Sequence, residues 1–160
     1  MSSKTTVNSS QRKTIVIVLL GAIVFFVSLC LLPRSPKVDQ EKVSVKIAKE
    51  TIAKGNVMEG VQMLKGVLEK NENNVDAIWE LGKLSYESTQ YGKAIERFKK
   101  FITLAEGEDK AVGLVSLADA YFMNNEYQEA RTALLQARNI TQQDKLLEDI
   151  NKRLGLINKN

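Results

Sequence analysis

Histidine is absent from the 160 residues, and cysteine occurs once, at Cys30. Without an imidazole there is no thiol–imidazole pair and no side chain that titrates near neutrality of its own accord. With one cysteine and no histidine, the Cys/His spacing of a zinc site is absent. No glycine-rich phosphate loop occurs, and no carboxylates stand at metal-ligand spacing. The expectation is therefore no catalytic residue, no cofactor and no metal. Proline is scarce as well, with only Pro33 and Pro36.

Acid is missing from the first 38 residues. All 19 acidic side chains lie from Asp39 onward, whereas five of the 23 basic ones (Lys4, Arg12, Lys13, Arg34, Lys37) precede it. Residues 38–160 thus carry 18 basic and 19 acidic groups, a balance of −1. The formal charge of +4 and the pI near 9.1 belong to the flanks of an apolar segment. They do not form a groove that neutralises phosphates, so nucleic acid is not an expected partner.

Charge is also missing from Thr14 to Leu32, TIVIVLLGAIVFFVSLCLL. As a helix this run spans about 28 Å, close to the hydrocarbon thickness of a bilayer. It predicts a transmembrane anchor over 14–32 in contact with lipid, after a basic tail at 1–13 and before a linker at 33–40. A cleavable signal peptide fits less well. Its apolar core would be shorter and followed by an Ala-x-Ala-like site, and here Leu31 and Leu32 follow Ser28-Leu29-Cys30. The basic tail places the N-terminus in the cytoplasm and the remainder outside. Arg34 and Lys37 on the other flank keep the opposite topology open.

What the rest of the chain does have is a repeat. Asn71–Asn74, Ala77, Leu81-Gly82, Tyr91, Ala94 and Phe98 recur about 36 residues later as Leu117-Ala118, Tyr121, Tyr127, Ala130 and Leu134. About 34 residues earlier stand Ile47-Ala48, Gly55, Val57, Gly60 and Leu64. Ala94-Ile95, Phe98 and Phe101-Ile102 follow the helical period. Tyr91-Gly92 and Asn124–Tyr127 read as turns within a unit, and Asn71–Asn74 as a turn between units.

These residues resemble the tetratricopeptide repeat, a helix–turn–helix unit of about 34 residues. Ala48, Gly82 and Ala118 match the small residue of the first helix, and Val57, Tyr91 and Tyr127 the residue before the second. Gly60, Ala94 and Ala130 match the small residue that opens the second helix, and Leu64, Phe98 and Leu134 the large one after it. The pattern's proline is missing, with Glu72, Glu106 and Gln142 near its places. Phe101 fills a position the family keeps small, the first unit lacks aromatics, and Gly107–Asp109 reads as an insertion between units.

The resemblance implies an all-α chain: the N-terminal transmembrane helix, then a right-handed α-solenoid of about three helix pairs (41–74, 75–110, 111–142). A capping helix and tail at 143–160 complete it, with Leu146, Leu147, Ile150, Leu154 and Ile157 facing inward and Asp149, Lys152 and Arg153 outward. It implies a concave groove lined by the first helices, with Trp79, Lys83, Tyr86, Val115, Asp119, Phe122 and Met123 as partner-binding residues, Trp79 foremost. A peptide or a helix of another protein would lie there. Packing between helices is the alternative role for Trp79, Tyr86 and Phe122. Arg97, Lys99 and Lys100 read as a solvated basic face.

The layout is similar to N-terminally anchored bacterial envelope proteins. It implies a single-pass inner-membrane scaffold that serves a translocation, chaperone or assembly complex. The alternative is a structural subunit of a larger membrane complex that uses both anchor and repeats. Glu106-Gly107-Glu108-Asp109 lacks the spacing of a calcium loop.

Overall fold

The structure, a computed structural model, describes residues 40–157, which fall within one compact unit. They form seven helices: α1 Gln40–Ala53, α2 Val57–Lys70, α3 Val75–Glu87, α4 Tyr91–Leu104, α5 Gly107–Met123, α6 Tyr127–Ile140 and α7 Asp144–Ile157. Each helix packs chiefly on its neighbours in sequence, and α1 also reaches α3. The arrangement is three stacked helix hairpins, α1–α2, α3–α4 and α5–α6, followed by α7.

Small residues and large ones fit across these hairpins. Ala48, Ala94, Ala118 and Ala130 are buried, and so are Leu64, Phe98 and Leu134 beside them. A Cβ on Gly82 would stand 2.7 Å from Phe98 Cε1, so the α3 backbone meets that ring directly. The misfit at Phe101 is resolved one unit further on. A Cβ on Gly113 of α5 would stand 2.6 Å from Phe101 Cδ1, so a glycine in the next unit makes room for the ring. The buried side chains form separate clusters along the array. Val45, Ala48, Leu64, Val67, Ala77 and Leu81 make one, Ile78, Phe101 and Ala105 a second, and fifteen residues that include Ala94, Phe98, Leu114, Leu134 and Ile150 a third. No single centre holds the unit together, as expected of stacked repeats.

The three turns within hairpins share one geometry. Gln90 N–H donates to Ser85 O (2.8 Å) and Thr89 N–H to Tyr86 O (3.0 Å). Asn56/Gly55 and Glu126/Asn125 repeat these bonds onto Thr51/Ile52 and Tyr121/Phe122. This is a Schellman stop with one left-handed residue, at Gly55 (φ 93°), Thr89 (φ 59°) and Asn125 (φ 64°). The turn expected at Tyr91-Gly92 is displaced: both residues belong to α4, and Thr89 carries the reversal. The insertion at Gly107–Asp109 is helical. It adds a first turn to α5, which reaches 17 residues.

A carboxylate fastens the turn after the first hairpin and the turn after the third. Glu41, the second residue of α1, accepts from Asn71 Nδ2 and Asn74 Nδ2 at 2.8 Å each. Glu108, the second residue of α5, accepts from Thr141 Oγ1 (2.7 Å) and Gln142 N–H (2.8 Å). These bonds hold the Glu108 carboxyl below the usual glutamate range, the backbone donor first and the threonine second.

The membrane-spanning part of the expected fold is corrected. No helix among the described residues is long and apolar enough to cross a membrane. The longest, α5, has 17 residues and spans about 25 Å, short of a hydrocarbon core of about 30 Å. It also carries four charged side chains, Glu108, Asp109, Lys110 and Asp119. The fold class is an all-helical solenoid of seven helices among the described residues, without a spanning helix. The single-pass inner-membrane placement falls with it. The tail at 1–13, the anchor at 14–32 and the linker up to residue 39 lie outside the described residues.

Candidate functional site

The expected groove residues all lie on α3 and α5, and the helices bring some of them together. On α3, Glu80 is only 8% exposed yet charged. It is answered by two ammonium groups, Lys49 Nζ of α1 at 3.0 Å and Lys83 Nζ of α3 at 2.8 Å. Lys83 Nζ also lies 5.9 Å from the centre of the Trp79 ring. That ring sits against Phe101 (4.7 Å between centroids) and Phe98 (5.5 Å). Trp79 is therefore half-buried, with one side committed to α4.

A second ion pair ties α5 to α7. The Arg153 guanidinium meets the Asp119 carboxylate, and Arg153 Nε donates to Asp149 Oδ2 at 2.8 Å. Burial pushes the Asp119 pKa up, and Arg153 only partly offsets it. Burial also works against the charge of Arg153, but the hydrogen bond to Asp149 and the nearby Asp119 charge raise its pKa on balance. Burial, then the Asp119 charge, raises the Tyr86 phenol. The outward place expected for Arg153 is thus wrong. Its separation of 34 residues from Asp119 equals one repeat, and that is the signal which pairs them.

Between α3 and α5 no ion pair crosses among the described residues. A cavity of about 150 Å³ opens there instead, lined by Lys83, Tyr86, Glu87, Phe98, Ser116 and Asp119. A second cavity of about 200 Å³ lies beneath α7, with Asp119, Phe122, Leu134 and Arg153 in its walls. Asp119 borders both. The Tyr86 and Phe122 rings each meet edge-on the tyrosine that opens the next helix, Tyr91 at 5.6 Å and Tyr127 at 5.3 Å.

Of the seven expected residues, Lys83, Tyr86 and Asp119 line one cavity, while Asp119 and Phe122 line the other. Val115 is 6% exposed and lies in the core. Met123 ends α5, 45% exposed, and lines neither. Arg97 is not on the basic face read from the sequence. Its guanidinium donates to Leu81 O (3.0 Å) and to Ser85 Oγ, and burial lowers its pKa. A larger cavity, about 570 Å³, opens between α1 and α2 around Ser44, Ile47, Met63 and Gly66, and contains none of the expected residues. No group of three or more potential metal ligands comes together among the described residues.

No protein-family model matches the sequence, and no curated protein is significantly similar to it. Solved structures are similar in fold. The N-terminal domain of stress-induced protein-1 (STI-1) from C. elegans superposes with a TM-score of 0.64 at 9% identity, over 74% of this chain and 98% of that one. The Yersinia enterocolitica type III secretion chaperone SycD, solved with a peptide of the translocator YopD, gives 0.67 at 14% identity, over 78% and 97%. The crystal structure of MamA gives 0.61 at 31% identity over 69% of this chain. The chain spans 62% of that MamA structure. These neighbours contain tetratricopeptide repeats, and the fold of this chain is TPR-like.

Proposed function

We propose that the chain is a protein–protein interaction scaffold that holds an extended peptide or a helix of a partner along the face of α1, α3 and α5. One observation carries the reading. Ion pairs fasten α1 to α3 and α5 to α7, while the interval between α3 and α5 is left open as a cavity with an aromatic wall. Lys83, Tyr86 and Asp119 are its working residues. That SycD, of the same fold, was solved with a peptide supports a peptide-sized occupant.

A photo-crosslinking residue placed at Ser116, inside the cavity, tests the assignment against one at Thr132, exposed on α6. The expected outcome is a discrete partner adduct from Ser116 alone, lost when Tyr86→Ala is introduced. Adducts of equal yield from both positions would remove the face as the binding surface.

A further inference from the structure

The cavity between α3 and α5, on which the proposed function rests, also indicates what kind of side chain it receives. At about 150 Å³ it has room for one side chain. Pockets for drug-sized molecules start at about 300 Å³. Its polarity follows from where its acids stand. Glu87 is the last residue of α3, the end at which the helix dipole is negative and a carboxylate is unfavourable. No basic residue occupies the last turn of α3 or of α5, so neither helix end is compensated locally.

The cations nearby are already engaged. Lys83 is held by Glu80, and Arg153 is shared between Asp119 and Asp149. Glu87 has no ion-pair or hydrogen-bond partner among the described residues. Asp119, in the opposite wall, is partly withdrawn from water, and one counter-charge is shared with a second acid. The Tyr86 and Phe98 rings, Ser116 and the engaged Lys83 complete the walls. Ring faces beside a carboxylate favour a flat cation, which can fork onto the carboxylate while it stacks on the ring.

We propose that this cavity is an arginine-selective subsite. It takes one guanidinium side chain from the partner segment, with Glu87 as the receiving carboxylate, Asp119 facing it and Tyr86 as the stacking surface. A neutral or acidic side chain there would leave Glu87, at the negative end of the α3 dipole, without a counter-charge.

Random peptides displayed on phage and selected on the immobilised full chain provide the test. The expected peptides share an arginine. Replacing it by citrulline, which keeps the shape and removes the charge, should weaken binding about tenfold or more, and lysine should weaken it less. Glu87→Gln should reproduce the loss; Glu87 is exposed, so circular dichroism should show the fold unchanged. Peptides that need Tyr86 but tolerate citrulline, or that bind Glu87→Gln undiminished, overturn the subsite and leave the groove reading standing. If no selected peptide depends on Tyr86, both fail.

Discussion

Thr89 holds a backbone angle that its side chain opposes. With φ at 59° it stands in the left-handed region, where a β-branched residue is strained by roughly 1–2 kcal/mol. The equivalent turns place Gly55 and Asn125 there. Thr89→Gly should therefore raise stability by about 1 kcal/mol in urea denaturation followed by circular dichroism; an unchanged or lower midpoint would show that the strain is relieved elsewhere. The sequence hid this position because glycine draws attention to Gly92, which lies inside α4. The bonds that stop the helix are backbone bonds, and no side chain marks them.

Titration separates two other carboxylates. Glu108 has a lowered folded pKa, so its contribution is present above the unfolded value of 4.5 and is lost as pH falls through the folded one. Asp119 has a raised folded pKa, so its ionised form costs stability above that value, and the cost disappears below the unfolded value of 3.8. Glu108→Gln should make stability less sensitive to acid below about pH 4.5. Asp119→Asn should be no less stable than the parent at pH 7. Urea midpoints between pH 3 and 7 check both signs, and a large loss for Asp119→Asn at pH 7 would mean that its pair with Arg153 outweighs burial.

At the scale of elements, the helices and their pairing were legible because small and large residues recur at fixed offsets. Ala48, Gly82 and Ala118 declare close contact, and Leu64, Phe98 and Leu134 declare what fills the space beside it. Compensation between units was less legible. Phe101 breaks the pattern, and Gly113, twelve residues on, accommodates it. Gly113→Ala should cost about 1–3 kcal/mol through overpacking against the ring. With Phe101→Ala already present it should cost less, a coupling of about 0.5–3 kcal/mol in a double-mutant cycle. Simple additivity would mean that the ring and the glycine do not share the space. Glu41–Asn74 and Glu108–Thr141, each 33 residues apart, also escaped notice. A search at the repeat length for polar partners, rather than for apolar matches alone, would find them.

The whole unit behaves as a row of interfaces. Its core is divided into clusters, and α7 closes the last with Ile150 and Ile157. Removing residues 144–160 should uncover Leu134 and Ala137 and leave Asp119 without Arg153. Amide exchange should then speed up most in α6 and α5, and least in α1 and α2. A uniform acceleration would instead indicate one cooperative core. At this scale the candidate site was only half legible. The helical period assigns residues to a face, but it does not tell which neighbouring helices are bound to each other across it.

That uneven fastening has a mechanical consequence. Charge pairs hold α1 to α3 and α5 to α7, whereas the second and third hairpins are joined by the packing of α4 on α5, where Gly113 receives the Phe101 ring. The width of the groove is then set by how closely α4 and α5 pack. A partner wedged into the α3–α5 interval would act as a spacer, setting the angle at which the two halves present themselves to anything else they touch.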